Sequence, residues 1–225
     1  MARMRHLLLA LILASATVAC GGPANSLDDQ ADGENSDALT NEADDAMPPT
    51  GFLRSSYAFE IKSGHHRGSH DFVARPHFGK HVDRALTFRV VFAADVPYAT
   101  ANPSNQSDYN KLMGISSDRI HKNSIRIGWA WNPAKQMVDL GFYGYLDGQR
   151  VMQPLTSVAP GQAIDCELRM TNNGLYARAG SASFNLPGSL GVSFPTTWIM
   201  HSAYFGGDEK APHDLHVSVS GIAAQ

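Results

Sequence analysis

Apolar and polar residues alternate one for one in segment after segment between Ser56 and Gly221, and that period of two constrains the fold more than any other feature. "SYAFEIKS" sets Tyr57, Phe59 and Ile61 against Ala58, Glu60 and Lys62. "RALTFRVVFA" sets Leu86, Phe88, Val90 and Phe92 against Thr87, Arg89 and Val91. "SIRIGWAW" places Ile125, Ile127, Trp129 and Trp131 on one side and Arg126 on the other. "MVDLGFYGYLDGQRV" separates Val138, Leu140 and Phe142 from Asp139, Tyr143 and Tyr145, with "DGQ" as a hairpin signal. "AIDCELRMTNNGLYARAG" is two alternating runs around a turn. "TWIMHSAYF" and "DLHVSVSG" follow, joined by "GGDEKAPHD". No long segment has the helical period; "SDYNKLMG" is the one stretch expected to form a helical turn. Short strands separated by Gly, Pro, Asn and Asp predict an all-β, antiparallel two-sheet β-sandwich or jelly roll.

The alternation starts only after residue 50. "MARMRH" followed by "LLLALILA" is a basic start and a short apolar run, too short for a stable membrane span. Residues 1–19 therefore read as a secretory signal. "SATVACGG" is similar to a bacterial lipobox, with Thr17 where leucine is usual, and this makes Cys20 the expected lipidation site. Residues 20–50 hold eight acidic residues, no Lys or Arg and no aromatic, so they are expected to be a disordered tether. Residues 51–225 are then the folded domain. The expected location is exported and cell-envelope, anchored by an N-terminal lipid, at the outer membrane where the cell has one.

The chain is net −3, but residues 51–225 carry 16 Lys and Arg against 13 Asp and Glu, a net +3. A mildly cationic exported domain suits an anionic ligand. It lacks the basic density of a nucleic-acid binder, so no nucleic-acid partner is expected. Cys166 lies in a strand pattern and reads as a buried small hydrophobe, with no disulfide framework.

Three constellations bear on chemistry. "HHRGSHDFVARPHFGKH" gathers His65, His66, His70, His77 and His81 with Asp71, but matches no metal signature, and a solvated hairpin is the favoured reading. "GGDEKAPHD" offers Asp208, Glu209 and Asp214 as oxygen donors for an optional calcium, although Lys210 argues against a carboxylate cage; no other cofactor or metal is expected. "YNKLMGISSDRIHKNSIRIGWAW" brings Lys111, His121, Ser124, Arg126 and Trp129 into a short span, with Tyr143 and Tyr145 soon after. Trp129 and Trp131 read as core. Arg126 in a strand built for burial needs a partner or a ligand.

Three ordered blocks resemble the jelly-roll polysaccharide lyases of the alginate and glucuronan lyase type, families fourteen and twenty. They are "NKLMG" at 110–114, "SIRIGWAW" at 124–131 leading to "GFYGYLDG" at 141–148, and "AYFGGDEKAPHD" at 203–214. Met113 stands where the family has proline. The resemblance implies a concanavalin A-like jelly roll acting on an anionic polysaccharide by β-elimination. It makes Lys111, Ser124, Arg126, Tyr143 and Tyr145 the catalytic candidates, with Arg89, His121 and Tyr204 as substrate contacts. In that chemistry a cation neutralises the uronate carboxylate, which acidifies the adjacent C5 proton; a base removes it and an acid protonates the departing oxygen. A non-catalytic glycan-binding or envelope lipoprotein on the same fold is the alternative.

Overall fold

The computed structural model describes residues 55–69, 84–116, 121–190, 199–201 and 203–224. They form eleven strands and one short 3-10 turn. The strands are β1 (Ser56–Ile61), β2 (Arg84–Phe92), β3 (Asn110–Ser116), β4 (Ser124–Asn132), β5 (Met137–Leu146) and β6 (Gln149–Val158), then β7 (Ala163–Thr171), β8 (Gly174–Ala179), β9 (Ala182–Pro187), β10 (Ile199–His201) and β11 (Leu215–Ala224). Two antiparallel sheets result. One has six strands in the order β1-β11-β2-β7-β8-β9, the other five in the order β10-β3-β4-β5-β6. The expected two-sheet β-sandwich is the observed architecture.

The alternating residues form the interior between the sheets. Phe59, Ile61, Leu86, Val90 and Phe92 from the six-stranded sheet meet Ile125, Ile127, Trp129, Leu140 and Phe142 from the five-stranded one, all almost fully buried. Ring contacts tie the two together: Phe92 and Trp129 have centroids 5.3 Å apart, and Trp129 also meets Tyr98 and Phe205 edge-on. Both tryptophans of β4 are core, as their parity requires. Cys166 is buried as well, and burial pushes its thiol up to about 12, which leaves it unreactive near neutral pH. The β5–β6 hairpin turns at Asp147 and Gly148, both at positive φ (50° and 82°), the backbone that a two-residue Asp-Gly turn provides.

One expectation is corrected. "SDYNKLMG" contains no α-helix: Asn110–Ser116 is strand β3, and the 3-10 turn lies earlier, at Pro103–Asn105. Every position of β3 is buried, so burial on both faces removes the alternation that would have marked it as a strand. A bulge between Lys111 and Gly114 breaks the period further.

Candidate active-site face

The outer face of the five-stranded sheet follows from the parity of β4. Ile125, Ile127, Trp129 and Trp131 point into the sandwich, which turns Ser124, Arg126, Gly128 and Ala130 outward. Strand pairing then builds two rows across the sheet. In the first, His201 pairs with Gly114, Gly114 with Arg126, Arg126 with Tyr143 and Tyr143 with Met152. In the second, Ser116 pairs with Ser124, Ser124 with Tyr145 and Tyr145 with Arg150. Directly opposed side chains in such rows have Cβ atoms about 4.5–5.5 Å apart, so Arg126 and Tyr143 are immediate neighbours. Lys111, Ser124, Arg126 and Tyr143 are each at most 5% exposed.

Lys111 is the centre of the cluster. Its Nζ lies 5.2 Å from the ring centre of Tyr143 and 5.1 Å from that of Tyr204. Its backbone exchanges two hydrogen bonds of 2.8 Å with Tyr204. The adjacent double glycine makes this possible. A Cβ on Gly206 would come within 2.5 Å of Lys111 Nζ, and Gly207 has φ +82°, where a side chain is strained. Asn110 ties the two segments together: its Oδ1 accepts from the Gly206 N–H at 2.9 Å and its Nδ2 donates to Tyr98 Oη at 2.9 Å. Gly114 clears space in the same way for Arg126, whose Cγ would lie 2.3 Å from an added Cβ. The turn in "AYFGGDEKAPHD" thus seats the lysine.

Seven of the eight candidate residues meet here. His121 stacks on Tyr145 with centroids 5.1 Å apart, and Tyr143 meets Tyr145 at 6.0 Å. Tyr204 joins them through its ring contact with Lys111. Arg89 does not join them. It lies on β2 in the other sheet, where its Nε donates to Asp165 Oδ1 at 2.8 Å, and the Asp165 contact raises its already high pKa.

Several contributors were not among the site residues expected from the sequence, where His66 was read only as part of the histidine-rich segment. His66 stacks on Tyr204 at 5.3 Å, and its Nδ1 donates to the Phe205 carbonyl at 2.9 Å, which leaves Nε2 with a lone pair in the neutral ring. His201 Nε2 lies 2.7 Å from Ser116 Oγ. The Tyr109 ring lies over Gly128 and Gly141, where added Cβ atoms would come within 2.8 and 2.5 Å of it. Burial pushes the Tyr109 phenol up, with a smaller push from Asp139. The outward parity of Tyr109 and Lys111 was the available signal for Tyr109; the histidines reach the face only through long-range contacts.

The acidic loop works as a clamp. Glu209 accepts from the N–H groups of Ala101 (2.7 Å) and Asn102 (2.9 Å) and from Asn105 Nδ2 (2.9 Å). The Asn102 contact comes first among the causes that hold its carboxyl below the usual range. Asp214 accepts from the Ser63 N–H at 2.8 Å. Among the described residues no group of three or more His, Cys, Asp or Glu is arranged to hold a metal ion. His70, Asp71, His77 and His81 lie outside the described residues, as do Cys20 and the whole of residues 1–54.

No family model matches this sequence, and no curated protein does. Solved structures are similar to it. The alginate lyase AlyC3 superposes with TM-score 0.55 at 9% identity, over 76% of this chain and 74% of its own. The alginate lyase vAL-1 from Chlorella virus gives TM-score 0.53 at 13% identity, over 75% of this chain and 83% of its own. An alginate lyase from Pseudomonas aeruginosa is matched over 64% of each chain, at 10% identity and TM-score 0.48. At these identities the likeness to the first two is one of fold: the chain is a jelly roll of the kind those lyases use.

Proposed function

We propose that this domain is a β-eliminative lyase acting on a uronate-containing, anionic polysaccharide. The observation that carries the reading is the placement of Lys111 Nζ over the rings of both Tyr143 and Tyr204, on a buried face where Arg126 is the direct neighbour of Tyr143. The named activity of the two lyases of like fold supports it. The ordered sequence blocks favour the family fourteen and twenty type.

The residues divide the work as follows. The Arg126 guanidinium forks onto the uronate carboxylate and withdraws charge from it, which acidifies the C5–H. In the amine form Lys111 takes the C5 proton. The released electron pair forms the C4–C5 double bond, the C4–O4 bond breaks, and Tyr143 delivers a proton to the leaving oxygen. Ser124 and Tyr145, one row further along, hold the sugar hydroxyls. Delivery of the domain from an envelope lipid at Cys20, through residues 20–50, belongs to the same proposal.

The His66–Tyr204 and His121–Tyr145 stacks would also serve a face that only binds glycans. One assay separates the two readings. The full chain is incubated with a panel of polyuronates and the ultraviolet absorbance of the C4–C5 double bond is followed, beside Lys111→Ala. A rise that the variant abolishes establishes the lyase. Saturable binding without any rise establishes the binding protein instead.

A further inference from the structure

The histidine-rich stretch after β1 begins as a strap beside the site. Residues 64–68 run along residues 203–211. The Gly64 N–H donates to the Ala211 carbonyl at 2.8 Å and the Ala211 N–H to the His65 carbonyl at 3.0 Å. The Phe205 N–H donates to the His66 carbonyl at 2.7 Å and the Gly68 N–H to the Ala203 carbonyl at 3.1 Å. Tyr204 is bridged to Arg67 on one side and to Lys111 on the other. One segment therefore separates the strap from the lysine.

The His66 side chain adds a bond that this ladder does not require. Its Nδ1 donates to the Phe205 carbonyl at 2.9 Å. A carbonyl oxygen only accepts, so Nδ1 carries a proton whether the ring is neutral or charged. The same peptide unit is held at its other end, where the Gly206 N–H donates to Asn110 Oδ1 at 2.9 Å. The C=O and N–H of one peptide lie in one stiff plane, so bonds at both ends fix its tilt. Gly206, which closes that plane, lies along the end of Lys111. A Cβ there would come within 3.0 Å of Cδ, 3.2 Å of Cε and 2.5 Å of Nζ. Phe205 and Gly206 are buried, and Asn110 is anchored in turn through Nδ2 to Tyr98 Oη. The Phe205–Gly206 peptide is thus the bed of the lysine's reacting end, with the imidazole as one of its two holders.

We propose that His66 is a positioning residue for Lys111, acting through the Phe205–Gly206 peptide. This rests on the lyase reading and adds a residue to the machinery of that site. Two substitutions in the full chain separate the donor from the ring. His66→Asn keeps an amide nitrogen near the place of Nδ1 and removes the ring. His66→Phe keeps a ring for Tyr204 and removes the donor. Two quantities are read on each. On a polyuronate that the unmodified protein cleaves, His66→Phe should lower kcat about 10–100-fold with KM within about twofold, and His66→Asn should restore most of the loss. The second quantity is the NMR signal of the Lys111 ε-methylene, identified by its loss in Lys111→Ala. It lies upfield because Nζ sits over two rings. In His66→Phe it should move toward the ordinary lysine position, and in His66→Asn it should stay. Thermal unfolding confirms folded protein. Where His66→Phe does not fold, His66→Gln, whose amide nitrogen stands one bond further out than Nδ1, is read in its place. An unchanged kcat in the variant lacking the donor, a change in KM alone, or an equal loss in His66→Asn overturns the proposal. If the unmodified protein forms no double bond, the lyase reading falls and the NMR signal decides. A Lys111 signal that stays in place without the donor then overturns the inference, and one that moves and is restored by His66→Asn upholds it.

Discussion

The two sheets are built from the same alternating pattern and put it to different uses. In the six-stranded sheet, β2 and β11 alternate between buried and accessible positions, and the solvent side carries ion pairs such as Arg89 with Asp165. In the five-stranded sheet, β3 is buried at all seven positions and β4 at all but its last. Antiparallel sheets ordinarily leave one face to water. Burial of both faces, with Lys111, Ser124, Arg126 and Asn110 among the buried residues, is costly unless those polar groups are compensated. The difference directs the tests: the proposed site lies on the face that buries its charge, and the other face displays charge in pairs.

The sharpest way to break this contrast is to remove a charge from each sheet. Lys111→Ala and Arg126→Ala should each lower double-bond formation by about 10²–10⁴-fold, the range for losing a positioned acid–base or charge-stabilising group. Arg89→Ala, on the opposite sheet, should leave the rate within about twofold, since surface positions away from the chemistry carry little. Steady-state rates on one polyuronate, with thermal unfolding to confirm folded protein, check all three. A large loss in Arg89→Ala would make the six-stranded sheet part of the site.

The glycines offer a finer cut between seating and folding. The Cβ of Gly206→Ala would meet the far end of Lys111, at 2.5 Å from Nζ, and a flexible chain end can move aside. Activity should fall about tenfold or more with the melting temperature nearly kept, since a small misplacement of reacting groups is costly. In Gly114→Ala the Cβ would meet the Ile125 carbonyl oxygen at 2.3 Å as well as Arg126 Cγ, and backbone cannot move aside. That variant should lose about 1–3 kcal/mol of stability, the usual cost of overpacking. Denaturant titration of both variants distinguishes the effects.

How much of this was legible in the sequence follows from what period two encodes. It assigned the faces of β4 and β5 correctly: Tyr143 and Tyr145 opposite Val138, Leu140 and Phe142, and Arg126 opposite the β4 tryptophans. It does not say which sheet a strand joins. Arg89 has the right parity, but β2 lies in the other sheet. β3 was missed because a strand buried on both sides and broken by a bulge has no alternation to read. His66 and His201 gain their neighbours through hydrogen bonds to Phe205, 139 residues away, and to Ser116, 85 residues away, pairings that no local pattern announces.

pH sharpens the comparison from the solvent side. His216 on β11 contacts Asp95 through Nδ1, and that bond is the first cause of its raised pKa. A raised imidazole stabilises the fold fully below its ordinary value, about 6.5. The contribution is lost as pH rises through the folded-state value, above that point. The side chain is half exposed, so solvent screens much of it. Asp95→Asn should flatten the stability profile between about pH 6 and 8; an unchanged profile would mean that the pair contributes nothing.

The smallest effect is expected at Glu167, the centre of the charge display on the six-stranded sheet. Its carboxylate accepts from Arg178 Nε at 3.1 Å and pairs with Arg169. Burial raises its pKa, but the hydrogen bonds from Arg169 and Arg178 outweigh this and the net shift is downward. A depressed carboxyl stabilises the fold above its unfolded value, about 4.3, and the contribution is lost as pH falls through the lower folded value. Two arginines share one acid at a face open to water, so Glu167→Gln should cost about 0.5–1 kcal/mol at neutral pH and low salt. Raising the ionic strength toward 1 M should shrink that cost, because the Debye length falls to about 3 Å. Activity should not change. A loss that persists in high salt, or that appears in the rate, would mean that this sheet also does more than face solvent, and the contrast between the two faces would no longer hold.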